Sequence, residues 1–394
     1  MISNSRLYFC GDDLIQRGVY AQNIKNIIKN CHTFPKNNDN NSYVIGISAP
    51  WGSGKTHFVQ MLKSYIEGDW ENPNLDEGMK SIAKSGTGAE ELLEDRDKYP
   101  VIYYNAWEND FWDNAFEPLF DRLIDSAPVA VTSKAKDENL FWIGKKAAKI
   151  IALGIKGYLS KKIEDAFDID TIDDINKEIG DFLQTTGSGD IQTHEMFPEY
   201  ELFKNAIEVL RQYLNAKVKG NKKLIIIIDE LDRCKPTFAV QTLEVVKHLF
   251  NIEGIVFIFS LDINQLSSSV KAIYGNDFEA IGYLERFFNY MTILPHGKLS
   301  SRDQSYMFIS KMGLKETSPG LHKDLLDAFI QITDIYNLSL REVKTVLAAY
   351  SVLEKTVLSQ YLENPDALIL YFYFLCIPEM MVGNGSRYLW LLLA

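Results

Sequence analysis

Positive charge is in short supply in this sequence. Against 53 Asp and Glu stand 41 Lys and Arg, a formal charge of -12. Such a balance argues against a broad nucleic-acid-binding surface, because neutralising phosphates takes clustered Lys and Arg. Cysteine is scarce too. Cys10, Cys31, Cys234 and Cys376 lie far apart and form no C-x-x-C pair, so zinc-site spacing is absent. They read as free thiols of a reducing compartment, which gives a cytoplasmic expectation. The six histidines contain no H-x-x-x-H pair, so no histidine-built metal site is expected. No apolar run reaches the roughly 20 residues that span a bilayer. The N-terminus lacks the layout of a signal peptide. With 394 residues, 46% of them apolar, the chain can build a sizeable core without disulfides.

What is present is an alternation of helical and strand patterns. Residues 12–31 space Leu14, Tyr20, Ile24, Ile27 and Ile28 as a helix. Four β-branched or apolar runs read as strands: Tyr43 to Ser48, Val101 to Asn105, Leu224 to Ile228 and Ile255 to Leu261. The run LIIII belongs in the middle of a parallel sheet, since it can be buried on both faces. A helix is expected at 237–250 and another at 278–289, the second leading to a strand at Tyr290 to Leu294. Residues 111–220 read as a mostly helical insertion. After 299 strand signals fade and helices take over. The expectation is an α/β layered domain over 1–298 and a helical lid over 299–394.

Between the first strand and its following helix lies Ala49-Pro50-Trp51-Gly52-Ser53-Gly54-Lys55-Thr56. This fits the phosphate-loop pattern G-x-x-x-x-G-K-[ST] except for Ala49 at the first position. Gly52 and Gly54 allow the backbone to curl so that successive N–H groups face phosphate oxygens. The helix opening at Lys55 adds its N-terminal dipole. Pro50, Trp51, Gly52, Ser53, Gly54, Lys55, Thr56 and His57 are the candidate cradle, with Lys55 on the β- and γ-phosphates and Thr56 on Mg²⁺. The apolar run 224–228 stops at Asp229 and Glu230. An acid there sits at the carboxyl edge of the sheet, where ligands of open α/β sheets bind. Asp229 is placed to hold Mg²⁺ and Glu230 to orient or deprotonate the attacking water.

The sequence resembles the KAP family of P-loop NTPases. The likeness is carried by PWGSGKT at 50–56, YYNAWEND at 103–110, IIIIDELDRCKP at 225–236 and YLERFFNYMTILP at 283–295. NLSLREVKTVL at 337–347 is similar to a further family segment but lacks its proline. The resemblance implies a parallel sheet of the AAA-like type, with an added strand between the phosphate-loop strand and the Asp229 strand, and a helical C-terminal lid. It implies ATP hydrolysis coupled to a conformational change or to self-assembly, hence a homo-oligomer or a partner protein. Many members carry transmembrane helices where this chain has 111–220, a segment too charged for that role. Members without them are often associated with exclusion of phages.

By the same resemblance Asp262 matches a polar sensor of the γ-phosphate, Arg286 an arginine finger and Arg341 a lid arginine. A helix cap is an equal reading of Asp262, and a surface ion pair with Glu285 or Glu279 an equal reading of Arg286. Arg233 is a second finger candidate. Asn105 can reach the γ-phosphate side, and Trp107 reads as packing. Arg17 and Tyr20 border the adenine or simply belong to an amphipathic helix. Residues 140–162 hold six lysines among apolar residues, which reads as a core-packed helix with a solvated lysine face or as a membrane or partner surface. Two alternatives to an ATPase stand beside it: a nucleotide-gated switch with little turnover, and a P-loop kinase.

Overall fold

The computed structural model describes residues 7–9, 13, 17–33, 41–69, 98–112, 114–126, 144–151, 179–181, 198–221, 223–295, 341 and 345. Helices α1 (Gly18–Asn30) and α2 (Lys55–Ile66) flank strand β1 (Tyr43–Ser48). Strand β2 (Val101–Asn105) leads to α3 (Phe116–Ser126), and α4 (Pro198–Asn221) leads to β3 (Leu224–Asp229). Then follow α5 (Pro236–His248), β4 (Ile255–Leu261), α6 (Ile263–Tyr274), α7 (Ala280–Glu285) and β5 (Tyr290–Ile293). The five strands form one sheet in the order β2-β3-β4-β1-β5. Every adjacent pair is parallel. β4 thus lies between the phosphate-loop strand β1 and the Asp229 strand β3, as the family likeness implies.

The continuous apolar runs of β3 and β4 follow from burial on both faces. Ile225, Ile227, Val256 and Ile258 pack with Ile24, Ile28, Phe58 and Leu62 of α1 and α2. Ile226, Ile228, Phe257 and Phe259 pack on the opposite side with Leu119, Leu210, Leu243 and Leu266 of α3 to α6. Side chains alternate along a strand, so each strand supplies both cores. Burying each such side chain is worth about 1.5–3 kcal/mol. Two layers of helices around one parallel sheet are the stable solution for strands of this composition.

The register gathers chemistry at one edge. Asn105 stands opposite Asp229, Asp229 opposite Ser260, and Ser48 opposite Leu261. All four strands therefore deliver their carboxyl ends to one row, where the loop after β1 begins.

Two helices differ from the sequence reading. The first starts at Gly18, preceded by Arg17. The helix expected over 278–289 covers only Ala280–Glu285. Phe287 and Phe288 are both buried after the chain has left the helix at Arg286. Asn289 then exchanges hydrogen bonds with Val44, N–H to carbonyl at 2.9 Å and side-chain oxygen from N–H at 2.8 Å, and starts the sheet early.

Within 111–220 the described residues outside the first few are helical: α3, 144–151, 179–181 and α4. The expected lid over 299–394 lies outside the described residues, apart from helical Arg341 and Thr345. Among the described residues no helix is long and apolar enough to cross a membrane.

Gly46 in β1 is required by its neighbours. A Cβ there would meet Met291 Sδ and Cε at 2.5 Å and Phe288 Cδ1 at 3.1 Å. The thioether can swing aside, but the ring is buried. Gly46→Val is expected to lower stability by about 2 kcal/mol through overpacking. A urea unfolding midpoint that falls with an unchanged slope is the check.

Candidate active site

The loop from Ala49 to Gly54 closes as its sequence suggests. Gly52 and Gly54 have φ of 85° and 82°. Among the described residues Glu230 is the sole non-glycine with positive φ, so Ala49 stands where a methyl fits without strain. Its N–H donates to Leu261 O at 3.1 Å, which fixes the loop entrance to the end of β4. Gly54 caps α2, and the chain then presents the first-turn N–H groups of that helix toward the loop. Ser53 Oγ is buried in this loop and makes no hydrogen bond. A buried hydroxyl without a partner is the kind of group a bound phosphate or its water satisfies. Pro50 and His57 are exposed at either end of the cradle.

Lys55 is folded back. Its Nζ donates to Ala49 O at 2.6 Å and to Pro50 O at 3.3 Å. Asp232 Oδ2 is 4.0 Å away. Burial lowers the ammonium pKa, and Asp232, Asp262 and Asp229 oppose that shift.

Asp229 is fully buried. Its carboxylate accepts from Tyr103 Oη at 3.0 Å and from Glu230 N at 2.9 Å. The Ser260 and Thr56 hydroxyls also lie beside it. Burial raises its pKa, and these hydrogen bonds pull it back. Thr56 and Asp229 thus meet, and their hard oxygens suit Mg²⁺.

Glu230 turns sharply out of β3 at φ 61° and ψ 27°. A non-glycine residue held there stores strain of about 1–3 kcal/mol. Both of its oxygens are engaged. Arg233 Nη1 is 2.8 Å from Oε1. Asn105 Nδ2 donates to Oε2 at 3.3 Å. Burial raises the Glu230 pKa, and the guanidinium opposes it. Asn105 is itself anchored: its Oδ1 accepts from Trp107 N at 3.1 Å and Glu108 N at 3.4 Å.

The remaining sequence candidates separate. Asp262 Oδ1 accepts from Asn264 N at 3.0 Å and so caps α6, yet its charge still reaches Lys55. Arg286 is exposed at the end of α7, and its guanidinium has no hydrogen bond or ion pair among the described residues. Neither Glu285 nor Glu279 holds it; Glu279 Oε1 accepts from Gly282 N instead. Arg341 is exposed on a helix, and what surrounds it lies outside the described residues.

Arg17 is buried and donates from Nε and Nη2 to Pro295 O at 3.1 and 2.7 Å. Tyr20 Oη donates to Thr292 Oγ1 at 3.3 Å. The two residues strap α1 to the exit of β5. Trp107, read as packing, is 49% exposed, because β2 ends two residues earlier and the chain turns outward. The Arg233 guanidinium lies 5.3 Å from its centroid. Within 140–162 the helical residues 144–151 bury Ala147, Ile150 and Ile151 and expose Lys145 and Lys149, the core-packed arrangement.

Two participants were not singled out by sequence. Tyr103 looks like any strand aromatic, and nothing in its spacing points to Asp229. Asp232 had a signal, as the third acid in D-E-L-D, but its partners Trp51 and Lys55 are remote in sequence.

Cys31 and Cys234 are buried free thiols. Burial, with Asp110, Asp232 and Glu230 near, pushes the Cys234 thiol far up. Thiolate is the reactive form. Cys234 is therefore expected to stay unlabelled by maleimide at pH 8 in the folded chain and to label fully in urea. Peptide mass spectrometry reads the site; rapid labelling of the folded chain contradicts the burial.

Residues 17–357 match the KAP family P-loop domain. Among solved structures, that of the Aeropyrum pernix ORC2 protein in ADPNP and ADP complexes is similar at 13% identity and TM-score 0.38, covering 91% of this chain and 67% of that one. No curated protein matches the chain.

Proposed function

Because the chain belongs to the KAP family of P-loop NTPases, we propose that it binds Mg-ATP at residues 49–57 and hydrolyses it, with the cycle coupled to a conformational or assembly change. The observation that carries this reading is the meeting of three elements at one sheet edge. The Gly52–Gly54 cradle and Thr56 follow β1, Asp229 and Glu230 end β3, and the sheet register lines up the carboxyl ends of the two strands on either side of β4. Few other chemistries need an anion cradle facing a buried carboxylate.

The division of labour follows from the groups. The loop amides and the α2 N-terminus hold phosphate oxygens. Lys55 leaves its own loop carbonyls and neutralises β- and γ-phosphate charge. Thr56 and Asp229 would hold Mg²⁺, which when bound screens the same phosphates and orients the γ-group. Glu230 orients the attacking water and accepts its proton, helped by a pKa raised through burial. Arg286, exposed and unengaged, is suited to reach the site of a second copy and stabilise charge in the transition state. A role in phage exclusion rests on the family association alone.

One observation favours a second reading, a switch with low basal turnover. Arg233 and Asn105 occupy both Glu230 oxygens, so the base is sequestered until one of them lets go. Phosphate release from ATP, with and without Mg²⁺, separates the readings. Mg-dependent release supports hydrolysis; tight binding with negligible release supports the switch; no binding of any nucleoside triphosphate overturns both. Native size measured with and without ATP tests the assembly step.

A further inference from the structure

The loop's Trp51 is tied to the acidic turn. The residue is 47% exposed, and its Nε1–H donates to Asp232 Oδ2 at 2.6 Å. That same oxygen lies 4.0 Å from Lys55 Nζ. The Asp232 side chain is 2% exposed, so water screens its charge poorly. Asp232 sits in the short turn Leu231–Arg233, directly after Glu230. One carboxylate therefore joins the phosphate loop to the turn that carries the candidate base. It also stands where it opposes any incoming anion that seeks Lys55.

We propose that Asp232 is a positioning residue that seats Trp51 and pairs with the Lys55 ammonium while the loop holds no phosphate, so that a nucleoside triphosphate must take Lys55 from it. The proposal rests on the nucleotide reading of the site and deepens it. Asp232 then sets nucleotide affinity below what the cradle alone provides, since its charge repels the phosphates and competes for their cation. A ligand with more phosphate charge displaces the pairing more effectively, which favours triphosphate over diphosphate.

Two variants of the full chain push in opposite directions. Asp232→Asn keeps an oxygen to accept from the indole and removes the charge. Trp51→Phe removes the indole N–H and leaves the carboxylate free to turn fully to Lys55. The first readout needs no nucleotide: the rate at which an N-hydroxysuccinimide ester acylates Lys55, followed by peptide mass spectrometry. The second is ATP and ADP affinity by calorimetry. Asp232→Asn is expected to speed Lys55 acylation and tighten ATP binding, each by about three- to tenfold. Trp51→Phe is expected to slow acylation and weaken ATP binding by about threefold. A merely structural role for Asp232 would weaken binding in both variants, and acylation rates that do not move apart overturn the pairing. Should the unaltered chain bind no nucleotide while acylation rates do separate, the nucleotide reading fails and the affinity role falls with it, leaving the Asp232–Lys55 contact in place.

Discussion

Glu230→Gln is expected to bind ATP as the unaltered chain does and to turn it over about 10²- to 10⁴-fold more slowly. The amide keeps the size of the carboxylate, and its single oxygen can accept from either Asn105 Nδ2 or Arg233 Nη1, which lie 3.3 and 2.8 Å from the two carboxylate oxygens, but not from both in place. What it loses is the lone pair that takes a proton from water. The turn at φ 61° is set by the backbone and tolerates the change. Removing the charge also breaks the Arg233 ion pair, whose side chains are 29% and 12% exposed. Binding is read by calorimetry and turnover by phosphate release under the same conditions. Undiminished turnover removes Glu230 from the role of base. A loss of both binding and turnover would instead assign it to the phosphate cradle.

Lys55→Ala is expected to weaken ATP binding about a hundredfold or more, since a desolvated charge-assisted pair with phosphate is lost. The ammonium donates to Ala49 O and Pro50 O, the first contact part-buried and the second exposed. Water can replace it there, so the melting temperature is expected to move little. Binding and stability therefore separate in this variant. If Lys55→Ala kept full affinity, the loop would not be a phosphate site. If it unfolded, the lysine would be serving the fold through Asp232 and the carbonyls.

Much of this molecule is visible in local pattern. The runs YVIGIS, VIYYN and IVFIFSL coincide with β1, β2 and β4, because a strand buried on both faces admits few polar residues and shows its length directly. The cradle is equally local, since Gly52, Gly54 and Lys55 adjoin one another and a strand and a helix flank them. Boundaries set by tertiary packing were less visible. The early end of α7 goes with Asn289 pairing with Val44 across 245 positions of chain. A helical pattern alone cannot report that competition.

The candidate site divides the same way. That a phosphate loop and an acidic strand end exist is settled by residue order, because each is a short contiguous motif whose chemistry resides in adjacent groups. Which groups touch is settled by the sheet order, which places β4 between β1 and β3 and lines up Asn105, Asp229 and Ser260. Tyr103 on Asp229, Asn105 on Glu230, and Trp51 on Asp232 are contacts between strand ends and loops far apart in sequence. The exposed Trp107 and the strapping role of Arg17 likewise depend on where neighbouring elements end. Composition and spacing specify what a segment is able to do; only packing decides which distant segment it does it with.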